Sequence, residues 1–100
     1  MAMMEISVVP LGTGTPGVSR HVAACIRYLQ DTGLEYQLTA MGTIVVGEVD
    51  QLLDLAKALH RLPFASGVQR VVTSIKIDDR RDKELSIAGK VGAVEKQCRS

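Results

Sequence analysis

One hundred residues, 46% hydrophobic and 23% charged, make one domain with no room for a second core. Twelve basic side chains against 11 acidic ones give a formal net charge of +1, and Tyr28, Tyr36 and Phe64 are the only aromatic residues. That balance argues against a dedicated nucleic-acid binder and leaves no stacking platform for a single strand. The longest apolar stretches are strand-sized, and Met1 to Pro10 lacks the pattern of a secretory signal. A cytoplasmic protein with no membrane contact is therefore expected, with Cys25 and Cys98 reduced.

The first strand is predicted over Met4 to Leu11, where Ile6 and Val8 alternate with Glu5 and Ser7. Gly12, Gly14, Pro16 and Gly17 break it. Val18, Val22, Cys25, Ile26 and Leu29 then follow at helical spacing, predicting a helix from Pro16 to Thr32, with Thr15 as N-cap and Gly33 as left-handed stop. Short strands are predicted at Glu35 to Thr39 and Thr43 to Gly47, joined by a hairpin-length connection. A second helix spans Asp50 to Arg61 and is expected to end at Pro63. Gln69 to Asp78 is the last strand, and Lys83 to Gln97 a third helix weakened by Gly89 and Gly92.

This order predicts a ferredoxin-like βαββαβ α+β fold filling residues 1–100, a four-stranded antiparallel sheet with both central helices on one face. The other face is then open. On the last strand Val71, Thr73, Ile75 and Ile77 point one way, and the mixed set Val72, Ser74, Lys76 and Asp78 the other. A partly apolar open face predicts a partner sheet and hence a homo-oligomer.

Gly12-Thr13-Gly14-Thr15-Pro16-Gly17 matches the dinucleotide-binding fingerprint. The hairpin that follows, the amide removed by Pro16 and the short chain favour a structural turn, with a small anion on the loop left open. His21 and Cys25, four apart on one helix, form half a metal site with no second pair, so a packed thiol is the better reading and no metal is expected. In the run Lys76 to Lys83 the charges nearly cancel, which fits a solvated strand end. An alternative turns Asp78 or Arg80 toward the helix-covered cleft. Around the hairpin, Thr39, Met41, Thr43 and Glu48 could hold a flat, polar or cationic small molecule, although Glu48 equally suits a helix cap.

Several of these segments together resemble the small thiamine-binding proteins of the YkoF-like family. The resemblance rests on Ile6-Ser7-Val8-Val9-Pro10-Leu11-Gly12, Ser19, Tyr36-Gln37-Leu38-Thr39, Met41-Gly42-Thr43, Gly47-Glu48, Arg70-Val71-Val72-Thr73 and Lys76-Ile77-Asp78-Asp79-Arg80. It implies a ferredoxin-like fold, binding of thiamine or its hydroxymethylpyrimidine part without catalysis, no further cofactor, and a homotetramer built as a pair of dimers. Carried over by position, it implies a ligand near Thr39, Met41, Thr43, Glu48, Asp78 and Arg80. Ala40 stands where the family commonly has proline. Glu48 or Asp78 would meet the thiazolium, Thr39 and Thr43 the pyrimidine edge, with Tyr36 and Met41 as surfaces to pack against it. The alternative function is a structural or regulatory oligomeric module that binds another protein through its sheet face. An enzyme using Glu48 or Asp78 as a base has little support, since neither carboxylate shows the burial or the partner that would tune its pKa.

Overall fold

Strand β1 (Ala2–Leu11) organises the sheet because it pairs on both edges. The computed structural model describes residues 1–99, which form β1, α1 (Ser19–Thr32), β2 (Glu35–Leu38), β3 (Thr43–Gly47), α2 (Val49–Ala65), β4 (Arg70–Asp79) and α3 (Ile87–Cys98). The sheet is antiparallel in the order β2-β3-β1-β4, which with the helix placement is the expected ferredoxin-like arrangement. β1 pairs with β4 along its whole length, from Ala2↔Asp79 to Leu11↔Arg70. Its pairing with β3 stops early, running only from Ala2↔Gly47 to Ile6↔Thr43.

The period of two separates the faces. Ala2, Met4, Ile6 and Val45 point toward the helices and are buried with Cys25 and Leu29 of α1 and Leu52, Leu55, Ala56 and Leu59 of α2. In α1, His21, Cys25 and Leu29 recur every fourth residue and make one buried stripe. Gly33, at φ 74°, ends that helix in the left-handed region as expected. At Gly47 a Cβ would stand in van der Waals contact with Leu34 Cδ2 at 3.4 Å and Leu52 Cδ2 at 3.5 Å, which shows how closely this end of β3 packs on the core.

Three helix boundaries differ from those read in the sequence. α1 begins at Ser19 rather than Pro16, with Val18 as its N-cap, because Gly12 and Gly14 take positive φ and the Thr13 hydroxyl turns to the Thr15 carbonyl at 2.9 Å. α2 continues through Pro63 to Ala65. The proline is tolerated in this last turn: its ring is buried, and its carbonyl accepts from the Ser66 and Val68 amides at 3.0 and 3.3 Å. α3 begins at Ile87 rather than Lys83, since Ser86 Oγ caps it by accepting from the Gly89 amide at 2.9 Å.

Past β4 the chain turns back under the sheet. Val46 lies on the face away from α1 and α2, yet it is buried, as is Leu85, and both stand outside the main core. Lys90 Nζ of α3 bonds Asp78 Oδ2 on that same face. The rest of α3 projects outward: it has no buried residue, and the radius of gyration, 15.0 Å, exceeds the roughly 13 Å of a compact chain this long.

The fully buried Leu52 sets the scale of core stability. Leu52→Ala is expected to cost about 2–5 kcal/mol, whereas Val94→Ser on exposed α3 should change the stability of an isolated chain by less than about 0.5 kcal/mol. Urea unfolding of the two variants at low protein concentration checks the contrast. Burial also pushes the Cys25 thiol above its ordinary value of 9.0. The unfolded chain then ionises this thiol first, so stability is level below that value and falls as pH rises through it. Urea midpoints measured on either side of it should show the loss in the parent chain and its absence in Cys25→Ala.

Candidate functional site

Where β3 ends and β1 continues, the free edge of β1 faces the β2–β3 turn and the first turns of α1 instead of a strand. A cavity of about 1030 Å³ fills this space. Ile6, Val8, Val22, Ile26 and Leu38 supply much of its wall, and both faces of β1 reach it, since Ser7 and Val9 line it too.

Thr39 builds one side of the cavity. Its amide and its hydroxyl both donate to the Gly42 carbonyl, at 2.8 and 2.9 Å, and the hydroxyl accepts from the Gly42 and Met41 amides at 3.1 and 3.3 Å. The hydroxyl is thus spent on the turn. Gly42 packs so closely on β1 that a Cβ would stand 3.1 Å from the Ile6 carbonyl oxygen. Met41, 86% exposed, holds its thioether at the mouth. Thr43 is different: it is only 7% exposed, lines the cavity, and its hydroxyl has no partner among the described residues.

The facing wall comes from α1, where Ser19, Arg27 and Gln30 contribute polar groups and Cys25 a thiol. Gln30 is steadied by its Nε2, which donates to the Tyr36 hydroxyl at 3.3 Å. Tyr36 therefore supports the wall from behind and does not line the cavity. No carboxylate and no histidine lines it, so its one fixed charge is the cation of Arg27. The sequence reading missed these α1 residues as ligand contacts. The available signal was their spacing, since Ser19, Ala23, Arg27 and Gln30 return every three or four residues and mark one flank of the helix.

Glu48, Asp78 and Arg80 lie elsewhere. Glu48 follows β3 at the end opposite Thr43, about 17 Å away along an extended strand. It is the N-cap of α2, its amide donating to Gln51 Oε1 at 3.1 Å. Glu48 and Arg80 line a separate open depression of about 620 Å³ with Asp79, Arg81 and Asp82. Both of its arginines are paired, while Asp50, Lys83 and Glu84 line it without an ion pair among the described residues. Arg80 forks onto Asp82 at 2.5 and 2.9 Å, and Arg81 reaches Asp79 at 3.2 Å. The Arg80 hydrogen bond holds the Asp82 carboxyl below its ordinary range. Asp78 faces away from α1 and α2 and is engaged by Lys90. In a single protomer, then, Thr39, Met41 and Thr43 come together, and Glu48, Asp78 and Arg80 do not join them.

Two other motifs fall into place. The Gly12–Gly17 loop is no dinucleotide unit, because every strand pairing in the sheet is antiparallel. His21 and Cys25 share the buried stripe of α1, and no trio of His, Cys, Asp or Glu is placed to hold a metal among the described residues. No helix among those residues is long and apolar enough to cross a membrane.

Comparison with known proteins bears on this geometry. A family profile described as thiamine-binding protein matches residues 4–95. The UPF0045 protein YqgV of Bacillus subtilis is 40% identical over 100 residues, 96% of each chain. A hypothetical protein of Methanocaldococcus jannaschii, known from its crystal structure, superposes with a TM-score of 0.84 at 37% identity over 94% of this chain and 95% of its own. A Thermotoga maritima protein with a provisional thiamine biosynthesis or salvage role superposes with a TM-score of 0.76 over 93% of this chain and 97% of its own; at 24% identity it speaks for the fold alone. A profile match over nearly the whole chain, together with relatives of this identity and coverage, makes the chain a member of the thiamine-binding protein family.

Proposed function

We propose that the protein is a non-enzymatic binder of thiamine or its hydroxymethylpyrimidine precursor, and that the pyrimidine ring occupies the cavity between the β2–β3 turn and α1. Membership of the thiamine-binding family supports the ligand class. The observation that carries the location is the unpartnered Thr43 hydroxyl, which a residue only 7% exposed opens to a largely apolar cavity. An aminopyrimidine needs a few directed hydrogen bonds on an apolar bed, which Thr43, Ser19 and Gln30 can supply.

Charge decides which end of thiamine points inward. With Arg27 in the wall and no carboxylate, the cavity suits a neutral aminopyrimidine and disfavours a buried thiazolium cation, which would lie toward the mouth near the Met41 thioether. Absence of catalysis is supported by the same inventory. Cys25 is held as the unreactive thiol by burial, and no histidine or carboxylate lines the cavity to activate it or the hydroxyls of Ser7, Ser19, Thr39 and Thr43.

A cytoplasmic homo-oligomer, a tetramer as the family resemblance implies, completes the reading. Val9, Leu11 and Val72 are 37%, 37% and 46% exposed on the uncovered part of the sheet, and Val9 also lines the cavity. A second copy on this face would cover apolar surface and narrow the cavity mouth together.

Calorimetry with hydroxymethylpyrimidine and with thiamine should give saturable heats. Thr43→Val, which keeps the side-chain shape, should weaken binding about tenfold, while Glu48→Gln should leave it unchanged. No heat from either compound at millimolar concentration would overturn the proposal. Native mass spectrometry of the purified protein reads the subunit number, and a monomer would remove the oligomer from the proposal.

A further inference from the structure

The loop between β1 and α1 has two sides. Pro16, Gly17 and Ser19 line the cavity described above, whereas Gly12, Thr13 and Arg20 line a second hollow of about 490 Å³ against the α2–β4 turn. We propose that this second hollow is a binding site for a phosphate-class oxyanion, held between Arg20 and Arg70.

Charge is the first observation. Arg20, in the first turn of α1, and Arg70, which opens β4 opposite Leu11, both line the hollow, and no carboxylate does. Neither guanidinium has an ion pair or hydrogen bond among the described residues, in contrast to Arg80 and Arg81 at the other end of the sheet. α1 has no acidic residue in its first turn and no side-chain cap, so its positive end is left uncompensated beside Arg20.

The second observation is a set of unused hydrogen-bond donors. The amides of Gly12 and Thr13 meet no acceptor among the described residues, and Gly12 takes the left-handed φ of 71° that aims the chain into the turn. The Ser66 hydroxyl, across the hollow, is also unpartnered. The amides of Ser66, Gly67 and Val68 are excluded as donors, because they close the end of α2 on the Pro63 and Phe64 carbonyls at 3.0 to 3.3 Å. What remains is two unpaired arginines, two residues with free amides and a serine with a free hydroxyl, all lining one open space. A tetrahedral dianion can accept from several directions at once and neutralises both arginines, whereas a carboxylate satisfies a single fork.

Amide NMR spectra of the whole protein, titrated with inorganic phosphate against chloride at constant ionic strength, test the site. The expected result is saturable shifts centred on Gly12 and Thr13, with the dissociation constant raised about tenfold in Arg20→Gln and in Arg70→Gln. The spectrum remote from the hollow reports that each variant is folded. Shifts that fail to saturate across the millimolar range, that chloride reproduces, or that persist unchanged in both variants would overturn the proposal. Thiamine monophosphate distinguishes the source of the anion. If the phosphate belongs to the ligand of the neighbouring cavity, this compound binds more tightly than thiamine and the arginine variants abolish only that difference. If the anion is separate, inorganic phosphate saturates the site equally with thiamine present. Either pattern sustains the anion site, and the phosphate titration stands even where thiamine itself gives no heat.

Discussion

The unequal pairing of β1 is the constraint from which the functional geometry follows. One edge of β1 is bonded to β4 from Ala2 to Leu11, while the other is bonded to β3 only as far as Ile6. A strand edge left without a partner needs its backbone groups covered or solvated, and its neighbouring side chains lose the wall that a strand would provide. The β2–β3 turn and α1 stand off from that edge, and the space between them is the cavity. Lengthening β3 by a few residues would fill it with backbone. The short hairpin, held by the Thr39 hydroxyl, is therefore what keeps the site open.

The two ends of the sheet have different electrostatic characters. At the end where β3 passes into α2, Arg80, Arg81 and Lys90 are each closed onto an aspartate, and Glu48, Asp50 and Glu84 add further acids. At the opposite end the cations Arg20, Arg27 and Arg70 have no paired acid among the described residues, and the start of α1 adds its own positive end. A near-neutral chain thereby presents one end whose arginines are paired with acids and one end whose arginines are not. The latter end is also where both the larger cavity and the second hollow lie, separated by the single loop from Gly12 to Gly17.

Coverage of the sheet is divided in the same way. The segment after β4 returns to the end of the sheet where β3 passes into α2, where Leu85 is buried and Lys90 fastens Asp78. Nothing within the described chain covers Val9, Leu11 and Val72 at the other end, and α3 carries Val91 and Val94, 51% and 63% exposed, away from the body. Apolar surface of this kind costs free energy in water, and its continuity with the cavity mouth through Val9 ties assembly to ligand binding in the function proposed above.

Element order and type were legible in the sequence because they rest on local period: alternation in β1, the four-residue stripe of α1, and Gly33 at a left-handed cap. Helix boundaries near Pro16, Pro63 and Ser86 were less so, since the sequence shows a breaker but not the tertiary burial that lets Pro63 stay in a helix. The hairpin residues Thr39, Met41 and Thr43 were readable as a group because the turn brings them together within a few positions. Grouping Glu48, Asp78 and Arg80 with them was a different kind of inference, and in one protomer a strand's length of about 17 Å keeps Glu48 from Thr43. The sequence by itself thus determined which segments become strands and helices and where the turns fall, because these depend on neighbours along the chain. Only the tertiary structure decided where β3 stops against β1, which side chains were left unpaired, and so where a ligand has room, because those depend on register between segments distant in sequence.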